Sequence, residues 1–230
     1  MAKKKKNANY VTEKTVAARA EAAEAAVRNK RKKTVKTVIT AIVIVLAVAA
    51  VLALIGLAFG LFDYYPTATE HVVIELDGYG SLHVELYGND APATVKNFLA
   101  LAEDGYYDNR TLHTLLGDLL YGGNTIADDG ESGIKGEFAE NGKENKVTHK
   151  RGVISMARGE GNDSGYGQFF IVTKDSPELD GKYAAFGMIT DGMDIIDKIV
   201  SEAKPGEDGK LPLAECITIK SISSHDSHGH

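Results

Sequence analysis

The polar stretch Arg158 to Gln168 is eleven residues long, four of them glycine, and lies between two short apolar runs, Val153–Ala157 and Phe169–Val172. Both runs are β-branched or aromatic and bounded by glycine, so they read as buried strands. A glycine-rich loop lets another backbone come close. Two core strands that deliver one polar loop are a common way to position a site. An ordinary long hairpin fits the same pattern equally well. Other residue types that could do chemistry point to less. The single cysteine, Cys216, sits in the strand-like run Cys216–Ile222 with no His or Asp beside it, so a buried structural thiol is expected rather than a nucleophile. Asp128, Asp129 and Glu131 lie in a polar, glycine-rich segment from Gly122 to His149. Their spacing does not fit an EF-hand loop, and a solvated surface loop is expected. His225, His228 and His230 with Asp226 could hold a transition metal weakly. Nothing rigid carries them, so residues 223–230 are read as a disordered tail and no metal is assigned.

The elements that would position such a loop can be read on either side. His71–Leu76 and Ser81–Tyr87 form a strand pair across Asp77-Gly78-Tyr79-Gly80. In the second strand Leu82, Val84 and Leu86 alternate with His83, Glu85 and Tyr87, which buries the first set; His83 is a surface residue with no role. A helix opens at Asp90-Ala91-Pro92, with Asp90 as its cap and Pro92 in its first turn. Val95, Phe98, Leu99, Leu101 and Ala102 make its apolar face, and Gly105 ends it. A second helix spans Met193 to Glu202, with Ile195, Ile196, Ile199 and Val200 inward. Mostly short strands with two helices suit a closed barrel capped at its ends.

The stretch His149-Lys150-Arg151-Gly152-Val153-Ile154-Ser155-Met156-Ala157-Arg158, followed by Gly165-Tyr166-Gly167-Gln168-Phe169-Phe170-Ile171-Val172, resembles the cyclophilin family of peptidyl-prolyl isomerases, the bacterial type in particular. Upstream, Ala91–Phe98, Gly105–Asp108 and Ile134–Phe138 are similar to family blocks in the family's order; downstream, Leu179–Lys182 and Ala185–Gly187 are too. The likeness covers residues 71–222. It implies an eight-stranded antiparallel barrel with a helix at each end, acting on Xaa-Pro bonds in polypeptides.

Carried over position by position, the resemblance places an apolar proline pocket on Leu119, Leu120, Phe170 and Leu179. Ala157 and Gly159 match backbone that pairs with the peptide, Gln168 matches a polar residue of the groove, and Tyr183 stands where many members have histidine. The departure lies in Arg110–Asn124. His113 matches, but the family's arginine donor is Thr114 here. The segment before Gly122-Gly123 is one residue short, leaving Tyr121 or nothing at the family's glutamine. A threonine offers one neutral hydroxyl, whereas arginine offers a long cation with several donors. Arg110 is about 13 Å along an extended strand from Thr114, too far to replace it. The reaction requires no cofactor. The resemblance implies isomerase activity reduced by the loss of arginine. A module that binds Pro-containing segments without turning them over is the alternative.

Charge divides the chain. Residues 1–37 hold twelve Lys/Arg and three Asp/Glu, net +9, while residues 63–230 carry net −15. Between them, residues 38–62 are uncharged and apolar. As a helix that segment is about 37 Å long against roughly 30 Å of hydrocarbon. Its length and long basic flank favour an anchor that stays attached over a cleaved signal peptide. Arg28, Lys30, Arg31, Lys32, Lys33 and Lys36 just before it place the amino end in the cytoplasm and the acidic domain outside. Glu13–Asn29 is Ala-rich and reads as a cytosolic helix, with a solvated juxtamembrane arm favoured over a lipid or partner contact. Phe62, Tyr64 and Tyr65 are expected at the outer interface, and Pro66 starts a linker within residues 63–70. The expected partners are the bilayer, through residues 38–62, and Pro-containing polypeptides; no nucleic-acid partner is expected.

Overall fold

A computed structural model describes residues 2–58, 64–125 and 133–224. The chain divides into two units, residues 1–63 and 64–230.

The first unit is one helix, α1 (Ala2–Ala58). At 1.5 Å per residue it is about 86 Å long. It is long and apolar enough to cross a membrane, with a mean hydropathy of 2.7 over its candidate span, and none of that span is buried. The hydroxyls of Thr34, Thr37 and Thr40 donate back to the carbonyls of Lys30, Lys33 and Lys36 at 2.9–3.0 Å. They thus need no partner outside the helix. Residues 59–62 of the expected anchor lie outside the described residues.

The second unit is built on eight strands: β1 (Glu70–Leu76), β2 (Gly80–Leu86), β3 (Thr111–Leu116), β4 (Leu119–Gly123), β5 (Val153–Met156), β6 (Gln168–Val172), β7 (Ala184–Asp191) and β8 (Ile217–Ser224). They close in the order β1-β2-β7-β5-β6-β4-β3-β8, every neighbour antiparallel. Closure leaves no edge strand open to pairing. The helix α2 (Pro92–Glu103) lies by the start of β1 and the end of β8, where Leu99 shares a hollow with Glu70 and Ser224. The helix α3 (Met193–Glu202) lies by the β1–β2 turn; Ile195 Cδ1 comes within 3.2 Å of where a Cβ on Gly80 would sit. Each end of the barrel therefore has its helix. Phe98 drives the plug at the α2 end, its ring 5.1 Å from Tyr107 and Phe186 and 5.9 Å from Phe169.

Several local expectations need correction. Asp90 does not cap α2; its carboxylate accepts from the Tyr64 hydroxyl at 3.0 Å. The cap comes from Glu137, whose buried carboxylate accepts from the Ala93 and Thr94 amides at 3.2 and 2.9 Å and from the Thr94 hydroxyl at 2.9 Å. A negative group at a helix amino end is favoured by both the open N–H groups and the dipole. Tyr64 is thus tied to the barrel through Asp90. Tyr87, placed by alternation on the solvent face, is 5% exposed because a second apolar layer covers that side of the sheet. Burial, with Glu85 and Asp90 nearby, pushes its hydroxyl up to about 12. The segment 122–149 is not uniformly solvated: Glu137, Phe138, Val147 and His149 are buried. Cys216 precedes β8, half-buried against the Leu211 and Pro212 carbonyls at 3.7 and 3.6 Å. β8 runs on to Ser224, and the tail histidines lie outside the described residues.

Candidate functional site

The register around β4 decides which side chains meet. Leu116 pairs with Leu119 across a two-residue turn, Gly117-Asp118, with Gly117 in the left-handed region at φ 59°. The same register sets Thr114 opposite Tyr121, and a shift at His113 then sets Leu112 opposite Gly122. A side chain at Gly122 would run into Leu112 Cδ2 at 2.5 Å, so this crossing requires glycine. On the next strand Tyr121 pairs with Phe170, and Phe170 pairs with Ser155 on β5. Directly opposed residues share a face. Thr114, Tyr121, Phe170 and Ser155 therefore form one row across four strands.

That row lies on the outer face of the barrel, and its Tyr121 and Phe170 belong to a second apolar cluster separate from the interior. Ala157 and Phe170 are buried there, with Leu119, Tyr121, Leu179 and Tyr183 packed against them. Leu120 does not belong to it. It points into the barrel, fully buried in the main core, because alternate residues of a strand face opposite sides. Tyr121 takes the place expected of Leu120. Phe170 is itself only 1% exposed. The Tyr121 ring lies 5.5 Å from it and tilted, the Tyr183 ring 5.5 Å and edge-on, and His149 stacks at 6.1 Å. The greasy face expected from the resemblance is present as a cluster, but phenol rings cover its centre.

The polar groups beside it are already engaged. His113 Nε2 faces the Asn124 carbonyl at 2.8 Å, and His113 Nδ1 faces the Thr114 hydroxyl at 2.8 Å. A carbonyl only accepts, so Nε2 carries the hydrogen. In the neutral ring Nδ1 then accepts, and Thr114 must donate to it. Burial lowers the His113 pKa against an opposing effect of the Asn124 bond, which favours that neutral ring. Thr114 thus spends its one proton on His113 and has none for a substrate. Gln168 donates an amide hydrogen to the same Asn124 carbonyl at 2.7 Å. The Ala157 amide donates to the Gln168 carbonyl at 2.9 Å and the Gly159 amide to the Ser164 hydroxyl at 2.9 Å. Arg110 is folded back on Tyr106, donating to its carbonyl at 2.6 Å with its guanidinium 3.8 Å from the ring centre. Arg158 lies between the Phe138 and Tyr183 rings at 5.1 and 5.0 Å.

A support lies beneath Phe170 that reading the strands alone missed. His149 Nδ1 donates to Asp180 Oδ1 at 2.8 Å, and Ser155 donates to His149 Nε2 at 3.0 Å. Desolvation lowers the His149 pKa, outweighing Asp180, so the Asp180 contact is a hydrogen bond to a neutral ring rather than an ion pair. The order Ser–His–Asp has the connectivity of a hydrolase triad, but Ser155 is fully buried and no acyl group can reach it. The network fixes the floor of the face. Among the described residues no cluster of His, Cys, Asp or Glu is arranged to hold a metal.

Two depressed histidines give a pH dependence. A histidine harder to protonate when folded leaves the unfolded chain binding more protons, so stability rises with pH in that window. The contribution of His113 and His149 is complete above the ordinary histidine value of about 6.5 and is lost as pH falls towards their lowered folded values. The midpoint of urea unfolding is expected to be lower at pH 5 than at pH 7.5, with an unchanged slope. A midpoint that is flat or higher at pH 5 contradicts the neutral assignment.

Comparison with known proteins bears on this geometry. Residues 71–224 match the family model described as cyclophilin type peptidyl-prolyl cis-trans isomerase/CLD. A peptidyl-prolyl cis-trans isomerase-like 1 of Rhizopus delemar is 38% identical over 133 residues, 56% of this chain and 79% of that protein. A peptidyl-prolyl cis-trans isomerase of Helicobacter pylori is 40% identical over 126 residues, 52% of this chain and 74% of that one. Among solved structures, a Cryptosporidium parvum cyclophilin type peptidyl-prolyl cis-trans isomerase, crystallised in the presence of the dipeptide Ala-Pro, superposes with a TM-score of 0.56 at 29% identity, covering 68% of this chain and 99% of that one.

Proposed function

Because the chain belongs to the cyclophilin-type peptidyl-prolyl cis-trans isomerase family, we propose that it is a bilayer-tethered isomerase of Xaa-Pro bonds with slow turnover. The observation that carries this reading is the row Thr114, Tyr121, Phe170 on the outer face, with apolar side chains around Phe170 and no cation in the row.

Rotation about Xaa-Pro must cross roughly 18–20 kcal/mol of amide resonance. No covalent step is required. The enzyme has only to bind the twisted amide better than the planar one. An apolar face that seats the proline ring holds one side of the bond while the chain beyond it turns. Leu119, Phe170, Leu179 and Tyr183 supply that face, and Gln168 orients the peptide beside it. With Phe170 covered by both phenols, the Tyr183 ring turns aside as the proline seats. A donor aimed at the prolyl nitrogen helps because its lone pair is free to accept only in the twisted state. Thr114, with its proton spent on His113, does not fill that role and instead positions the ring. The same observation favours a second reading, a module that holds proline segments without turnover.

The tether rests on α1 and on the basic run Arg28–Lys36 beside its apolar part. Lys and Arg are retained on the cytoplasmic side, which leaves the barrel outside. Alkaline extraction is expected to leave the full chain in the membrane fraction. Protease added to intact cells is expected to remove the barrel and spare an amino-terminal tag. Recovery in the soluble fraction without its amino end contradicts the tether.

A further inference from the structure

The family's strong donor is missing at Thr114, so any catalysis must draw its hydrogen bond from elsewhere. The polar groups nearby are committed. Thr114 gives its proton to His113, Arg110 is stacked on Tyr106, and Arg158 is held between two rings. Tyr121 differs. It lies directly between Thr114 and Phe170 in the cross-strand row, half-exposed, with its ring against Phe170. Among the described residues its hydroxyl makes no hydrogen bond to the chain. A phenol is one donor on a rigid arm, and the ring that carries it is already fixed by the apolar cluster.

We propose that the Tyr121 hydroxyl is the donor that engages the prolyl amide of the substrate at the edge of the Phe170 face, in place of the absent arginine. The proposal rests on the isomerase reading above. As the Xaa-Pro bond twists, the nitrogen lone pair leaves conjugation and becomes an acceptor, and the phenol reaches it from the β4 side. No bond forms or breaks and no proton is transferred; the hydrogen bond is made in the twisted state and lost in the planar one. Partial desolvation, with Tyr183 close by, raises the Tyr121 pKa, so the phenol keeps its proton at neutral pH. The two-residue turn sets Tyr121 opposite Thr114, and the β4–β6 pairing sets it opposite Phe170.

The test is full-length protein in detergent micelles, assayed for cis-to-trans conversion of an Ala-Pro peptide. Wild type is compared with Tyr121→Phe, Tyr183→Phe, Thr114→Arg and the double variant Tyr121→Phe/Thr114→Arg. Tyr121→Phe keeps the ring, so its thermal midpoint should stay put while kcat/KM falls about tenfold, the upper end for one neutral hydrogen bond. The loss should appear in kcat rather than KM, and it should exceed the loss in Tyr183→Phe. The double variant should run as fast as Thr114→Arg alone, because the cation makes the phenol's bond redundant; a packing role for the hydroxyl predicts the same loss in both backgrounds. Tyr121→Phe at the wild-type rate, or a loss confined to KM with a lowered midpoint, overturns the assignment while leaving the isomerase reading intact. Wild type without any rate above background overturns both.

Discussion

Thr114→Arg is expected to raise kcat/KM on a Xaa-Pro peptide by about ten- to a hundredfold. The wild-type hydroxyl donates to His113 Nδ1, so it contributes no hydrogen bond to the reaction. A charge-assisted bond contributes about 1.5–3 kcal/mol, and each 1.36 kcal/mol is a factor of about ten in rate, which sets the range. The position suits a long side chain: Thr114 is half-buried, beside Tyr121 and one strand removed from Phe170. Arginine can lay its plane on the Tyr121 ring while its end reaches the substrate. The substitution carries a structural cost, since His113 Nδ1 loses its donor and a buried acceptor left unpaired costs about 1–3 kcal/mol. Thermal unfolding of the variant should show that loss beside the gain in rate. An unchanged kcat/KM in a folded Thr114→Arg protein would mean that the missing cation does not limit turnover.

The second large effect is on the face itself. Phe170→Ala should destabilise the barrel by about 3–5 kcal/mol, the usual range for removing a buried aromatic ring. Phe170 carries three ring contacts at once, with Tyr121, Tyr183 and His149, so its loss leaves neighbours that cannot all collapse inward. Against a typical total of 5–15 kcal/mol, the variant sits near the edge of folding. Phe170→Leu is the gentler partner. It keeps an apolar side chain, should cost about 1.5 kcal/mol or less, and still removes the flat ring on which a proline packs. Urea unfolding reads the first effect. Chemical-shift titration with an Ala-Pro peptide reads the second, with binding lost in Phe170→Leu. Peptide binding at wild-type affinity in Phe170→Leu would place the proline elsewhere.

Much of this was open to sequence reasoning, for identifiable reasons. Strand alternation in Leu82, Val84 and Leu86 and the helical spacing of Ile196 and Ile199 are local patterns, and both recur as burial. The same alternation, applied to Leu119-Leu120-Tyr121, separates Leu120 from the outer face; matching the segment to a family pattern with one residue more obscured it. Other features were not legible. The cap on α2 comes from Glu137, more than forty residues along the chain, while Asp90, the local candidate, is occupied by Tyr64. The commitment of Thr114 to His113 depends on which ring nitrogen faces Asn124. No spacing encodes that, because the Asn124 carbonyl reaches His113 across the β3–β4 pair, beside the register shift at His113.

The most direct test is exchange spectroscopy on an Ala-Pro peptide with full-length protein in micelles at substoichiometric concentration. Cross-peaks between the cis and trans forms, growing faster than in peptide alone and in proportion to the protein, are the predicted result. Peptide resonances that shift on titration while the exchange rate stays at the uncatalysed value would contradict it, and would leave a protein that grips proline without turning it.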